Sequence, residues 1–162
     1  MVRWGCQQCV TVAVVDDTPE RLVGKPSWLI TQLATHVRRL VSSAFTDAGA
    51  RGYHYRILAA LREFGVASQI ELARRCGMDR SDVVAAINEM AEQRQVERTP
   101  DPADRRRNLV TITKEGERQL RRLDQALHEV QGELLAPLSE QERLALFRML
   151  TLLLRHQEER PD

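Results

Sequence analysis

The sequence predicts a mainly α-helical protein with one short β-hairpin, and three observations carry the prediction. Apolar residues recur at three-and-four spacing over five stretches: Trp28–Phe45, Ile57–Phe64, Val83–Ala91, Leu120–Leu134 and Leu144–Leu154. Ser68 with Glu71 and Ser139 with Glu142 have the spacing of capping boxes, which mark helix starts. Only Val96–Thr99 and Asn108–Ile112 read as strands, and Pro100-Asp101-Pro102-Ala103-Asp104 lies between them as a turn.

The chain is organised around Ser68–Thr113. A first short helix runs from Ser68 to Cys76, and Gly77 breaks it. Asp79 stands where it can cap a second helix. That helix puts Val83, Val84, Ile87, Met90 and Ala91 on one face, and Ser81, Asp82, Ala85, Asn88 and Glu89 on the other. Two short helices joined by a glycine turn, the second with an outward polar face, form a helix-turn-helix. In such a motif the first helix braces and the second enters the major groove of DNA. Arg105, Arg106 and Arg107 crowd the hairpin that follows, and a cationic tip suits a phosphate backbone and a minor groove. Asp104 precedes Arg106 by two residues, close enough for a carboxylate to hold and aim a guanidinium.

With these residues in view, the chain resembles the MarR family of bacterial winged helix-turn-helix regulators. Asp104-Arg105-Arg106 followed by Val110-Thr111-Ile112-Thr113-Lys114-Glu115-Gly116 is similar to that family's wing. The resemblance runs from about Trp28 to about Gln157. It implies an obligate homodimer, each subunit reading half of a palindromic double-stranded site, and release of DNA by a small molecule or an oxidant. This chain departs from the family pattern at Arg94 and Gln95, where glycine and leucine are usual, and at Asp82 and Ala85, where threonine and arginine are common. The reading helix must therefore end without a glycine, and an operator sequence cannot be carried over.

The bounds agree with a soluble regulator. The chain has 162 residues, 43% apolar and 29% charged, within the range of globular domains. A net charge of +1 excludes a general polycation, so positive charge for a nucleic acid must be concentrated locally, in the wing and at Arg74, Arg75 and Arg80. No apolar run is long enough for a membrane span. Three cysteines make no disulfide framework, which fits the cytoplasm. Residues 1–26 read as a flexible arm. Its Cys6-Gln7-Gln8-Cys9 is a CxxC without the further ligands a zinc site needs, so no metal and no cofactor are expected. Oxidation of Cys6 and Cys9 remains an alternative means of regulation.

Residues 27–50 read as a dimerisation helix capped by Ser27, residues 51–113 as the winged DNA-binding domain, and residues 114–157 as helices completing the dimerisation part. The last helix carries Leu144, Phe147, Leu150, Leu153 and Leu154, and Leu146, Met149 and Leu152 make it apolar nearly all round. Such a helix must be covered on more than one side. A second copy is the simplest cover, with Leu29 and Leu33 of the first helix in the same interface. Tyr53-His54-Tyr55 is an unusual cluster in a chain only 4% aromatic. Its simplest role is packing between helices. Alternatively it lines a pocket with Trp28, His36 and Arg39, where an aromatic or carboxylate-bearing effector would be matched by rings and a cation. The resemblance implies an effector site at that joint.

No phosphate loop, HExxH or GxSxG motif is present, so an enzyme is not expected. The expected function is a dimeric, ligand-responsive repressor. Arg80, Ser81, Asp82 and Ala85 face base edges, Arg105, Arg106 and Arg107 with Asp104 work in the minor groove or on phosphates, and Ser68, Gln69 and Arg74 lie near the backbone. A winged helix serving protein–protein contact or RNA is the rival reading.

Overall fold

The computed structural model describes residues 18–103 and 108–159. The chain forms two units, 1–39 and 40–162. In the first, α1 (Glu20–Val23) is a single turn and α2 (Pro26–Asp47) begins. Pro26 takes the first helical position, where its missing N–H costs nothing, so the helix starts before the expected Ser27 cap. Thr31 and Thr35 donate back to the carbonyls of Ser27 and Thr31 at 2.9 and 3.0 Å. Cys6 and Cys9 lie outside the described residues.

The second unit holds the rest of α2, then α3 (Gly52–Phe64), β1 (Ala67–Ser68), α4 (Gln69–Cys76), α5 (Arg80–Glu92), β2 (Val96–Pro100), β3 (Asn108–Ile112), α6 (Lys114–Leu134) and α7 (Glu140–Glu158). The three strands form one antiparallel sheet in the order β1-β3-β2. β1 was not legible in the sequence, because it has two residues and the second already caps α4. Ala67 pairs with Val110 and Ser68 with Leu109. The strand thus ties the bracing helix to the hairpin.

The core of this unit is Ile57, Leu58 and Leu61 of α3, Leu72 of α4, Val83, Ile87 and Met90 of α5, Val110 of β3 and Leu123 of α6, all inaccessible or nearly so. All but Leu72 and Val110 come from the apolar helical stripes visible in the sequence, and Val110 from the second strand. Phe64 departs from its stripe: it is 55% exposed rather than inward. It ends α3, the chain turns away at Gly65, and the guanidinium of Arg75 sits 4.8 Å from its ring centre. Along α6, Leu120, Leu123 and Val130 are buried and Leu127 partly so.

The end of α5 is solved without glycine. Arg94 itself adopts the left-handed conformation, with φ of 57°. Its carbonyl accepts from the Thr113 hydroxyl at 2.6 Å, and the Gln95 carbonyl accepts from the Thr113 N–H at 3.0 Å. Thr113 is also the cap of α6, receiving the Gly116 N–H. Gly116 is required there, since a Cβ at that position would lie 2.1 Å from the Gln95 carbonyl oxygen. The exit of α5 and the entry of α6 are therefore one bonded joint.

A second joint fixes the flank of α5. The Arg51 N–H donates to Nδ1 of the buried His54 at 3.2 Å, so Nε2 carries the ring proton and donates to Glu89 Oε2 at 3.1 Å. The Tyr53 hydroxyl donates to the same Glu89 oxygen at 3.1 Å and accepts from Arg51 at 2.7 Å. Burial pushes His54 below its ordinary value of 6.5, and the Glu89 carboxylate only partly opposes this. The folded ring is neutral where the unfolded ring would be protonated.

Two predictions follow from these joints. Arg94→Gly removes the cost of a left-handed side chain, about 1 kcal/mol, and should raise the urea midpoint without changing the slope; an unchanged or lower midpoint would show that Arg94 is unstrained. For His54 the folded pKa is the lower one, so its contribution to stability is complete above 6.5 and is lost as pH falls below it. The urea midpoint should drop between pH 7.5 and 5.5, and His54→Gln should shrink that drop. An equal drop in the variant would place the acid sensitivity elsewhere.

Candidate nucleic-acid interface

The helix-turn-helix is built as its residues dictate. Ser68 and Glu71 close the expected capping box, with Ser68 Oγ accepting from the Glu71 N–H at 3.3 Å and Glu71 Oε2 accepting from the Ser68 N–H at 2.8 Å. These bonds hold the Glu71 carboxyl below the usual carboxylate range. Gly77 makes the turn in the left-handed conformation, with φ of 58°. Asp79 occupies the N-cap position of α5 but makes no side-chain capping bond, a correction to the sequence expectation.

Of the residues expected at DNA, Arg74, Arg80, Ser81, Asp82 and Ala85 are exposed, and Ser68 and Gln69 are half-buried at the start of α4. Asp104, Arg105, Arg106 and Arg107 lie outside the described residues. Behind the exposed row of α5, Val83, Ala86, Ile87 and Met90 are buried, so the helix can present only one face. Glu89, read as outward from its spacing, turns instead to Tyr53 and His54. Asn88 stays exposed, and Arg98 of β2 donates to its Oδ1. Nothing in the sequence singles out Arg98. Its place on a strand beside α5 depends on the strand register, which the sequence does not display.

Tyr53, His54 and Tyr55 do not converge on one space. Tyr53 and His54 bond Glu89 of α5, while the Tyr55 hydroxyl donates to Asp124 of α6 at 2.9 Å and its ring packs 5.3 Å from that of Phe45. With both ring nitrogens engaged, His54 has none to offer a ligand. Trp28, His36 and Arg39 stand on α2 in the first unit, Trp28 half-buried and the other two exposed. A cavity of about 550 Å³ opens between α3 and the α4–α5 turn. Arg51, Tyr53, Arg56, Asp79, Asp82 and Glu89 supply its polar walls.

On α7, Leu144, Phe147, Leu150, Leu153 and Leu154 are 45–72% exposed, and the helix has no buried residue. On α2, Leu33 is 46% exposed and Leu29 half-buried. Cys76 is buried at the end of α4, and burial pushes its thiol up, so it remains an unreactive thiol. No helix among the described residues is long and apolar enough to cross a membrane.

Among the exposed groups of α4, α5 and β2, the side chains of Arg74, Arg80, Ser81, Asp82, Asn88 and Arg98 can donate or accept hydrogen bonds, as groove recognition requires. Comparison with known proteins agrees. Residues 47–107 match the model of the MarR family. A putative transcriptional regulatory protein for the hcr operon of Thauera aromatica is 31% identical over 138 residues, spanning 80% of this chain and 83% of that protein. The PcaV transcriptional regulator of Streptomyces coelicolor, solved in complex with its natural ligand, is 25% identical, with a TM-score of 0.69 over 85% of this chain and 97% of its own. A MarR mutant from E. coli, solved with operator DNA, shares the fold at 22% identity, with a TM-score of 0.68 over 79% of this chain and 92% of its own. The relatives are transcription regulators and not enzymes. A mainly helical chain with a three-stranded antiparallel sheet, an exposed polar face on α5 and this degree of likeness belongs to the MarR family of DNA-binding transcription regulators.

Proposed function

We propose that the protein is a homodimeric repressor that reads a palindromic duplex and releases it on binding a small aromatic or carboxylate-bearing molecule. The observation that carries the DNA reading is α5 itself: buried on one face, and open along Arg80, Ser81, Asp82, Ala85 and Asn88 on the other. Arg80 and Ser81 sit at its N-terminal end, whose residues commonly meet base edges in a recognition helix. Asp82 can accept from a cytosine amino group. The wing arginines, with Asp104 aiming Arg106, supply contacts to phosphates or the minor groove. Ser68, Gln69 and Arg74 add to them from the bracing helix.

The dimer is supported by the apolar row of α7. Large exposed patches of this kind mark interfaces, and obligate ones resemble a core cut in half. The effector is supported by the PcaV ligand complex and by the cavity beside α5, where Arg51 and Arg56 offer cations to a carboxylate. Tyr53 lines that cavity, and Trp28, His36 and Arg39 remain candidates on α2.

Duplexes selected from a random pool, followed by fluorescence anisotropy across a salt series, test the reading. Log K should fall steeply and linearly with log salt, and Arg106→Ala should reduce the slope by about 1 per subunit, about 2 for the dimer, on every sequence. Benzoate- or nicotinate-type carboxylates added to the same complex should release the duplex. No selected sequence and no salt dependence would favour a protein-binding module, and preference for single-stranded RNA would favour the RNA reading. Release by peroxide with no carboxylate acting would replace the ligand switch by a thiol switch.

A further inference from the structure

Along α5, Ser81, Ala85, Asn88 and Glu92 follow one another at three- and four-residue spacing, and all four are exposed. They form the row directly opposite the buried Val83, Ala86, Ile87 and Met90. Asp82 and Glu89 lie to one side of this row by their helical spacing, on the wall of the cavity towards α3, a wall that Ala85 also reaches and Asn88 does not. Asn88 is therefore more central to the outward face than Asp82.

Asn88 is also the residue of that row held by another element. Arg98 Nη2 donates to its Oδ1 at 2.5 Å. Arg98 pairs with Val110 in the middle of the β2–β3 ladder, so its backbone is fixed by the sheet. A guanidinium can only donate, so the amide orientation is determined: Oδ1 faces Arg98 and the free polar atom is Nδ2. An unconstrained asparagine prefers adenine, because it offers an acceptor to N6–H and a donor to N7 together. Here the acceptor is engaged by a cation, and the remaining N–H groups of Arg98 add only donors. A pair that presents donors matches the two acceptors of guanine, N7 and O6, and opposes the amino group of adenine.

Resting on the DNA-binding reading above, we propose that Asn88 and Arg98 act together as a specificity-determining pair that selects guanine over adenine at one position of each half-site. Arg98 positions the amide, and Asn88 meets the base.

The test uses the full chain and a set of duplexes in which each base pair of the selected site is changed in turn, measured by anisotropy at one salt concentration. The wild type should prefer guanine to adenine at one position per half-site, roughly tenfold. Asn88→Ala should abolish that preference at that position only. Arg98→Ala frees Oδ1 and should move the preference towards adenine. Asn88→Asp keeps a partner for Arg98 but removes the free donor, and should also lose the guanine preference. Both side chains are exposed, and circular dichroism with sedimentation confirms that each variant is folded and associated as the wild type is. A uniform loss on all duplexes would make the pair a phosphate contact and overturn the proposal. An unchanged preference profile would make it a surface contact and overturn it equally. A wild type that binds no duplex would overturn the DNA reading itself, which the wild-type measurement alone reveals.

Discussion

The bond network around Glu89 sets what this protein can present to DNA. One carboxylate oxygen of α5 accepts from both Tyr53 and His54 of α3, and Arg51 anchors the two donors from behind. A carboxylate so engaged, half out of water, is costly to move, because its donors would be left unpaired. The rotation of α5 about its axis is thus fixed by polar bonds on one flank and by Val83, Ile87 and Met90 beneath. Its far end is fixed by Arg94, Gln95 and Thr113, which bind it to the start of α6. The exposed row of Ser81, Ala85, Asn88 and Glu92, the proposed reading face, is what these constraints leave uncovered.

Much of this architecture was legible in the sequence. Helix positions followed from apolar periodicity, and the starts of α4 and α7 from Ser68 and Ser139, whose side chains accept the expected capping bonds. The hairpin followed from β-branched residues around a proline turn. What the sequence did not display were pairings between elements. Glu89 and Asn88 are adjacent and polar, and periodicity put both outward. Only the arrival of α3 on one side and β2 on the other separates an anchoring carboxylate from an exposed amide. The aromatic cluster packs between helices, its simplest expected role, but its partners were not legible for the same reason: three consecutive residues on a helix point to different neighbours, so Tyr55 bonds α6 while Tyr53 and His54 bond α5. The departure at Arg94 was correctly located, and the structure shows its form, a left-handed arginine in place of glycine.

Charge and hydrophobicity are distributed to match the proposed division of labour. A chain with net charge +1 must hold its cations near the duplex and its acids elsewhere. Glu71, Glu115 and Glu142 are used in capping and helix-surface bonds, each held below the usual carboxylate range. Leu144, Phe147, Met149, Leu150, Leu152, Leu153 and Leu154 make α7 the element richest in large exposed apolar side chains, while Ile30, Leu33, Phe64, Val66 and Ile70 are exposed elsewhere. A solvated polar face suits a ligand that comes and goes. An apolar face of this extent suits a partner that stays.

The central claim is that a second copy covers α7 and that two reading helices then engage one duplex together. Sedimentation of the protein with and without a selected duplex, for the wild type and for Leu150→Asp, measures this directly. Leu150 is 45% exposed in the single chain, so the substitution spares the core and burdens only an interface, where an unpaired carboxylate costs several kcal/mol. The account predicts a wild-type dimer at micromolar concentration, two chains per duplex, and a monomeric variant that no longer binds the site. A wild type that sediments as a monomer, or a variant that remains dimeric and bound, would contradict it.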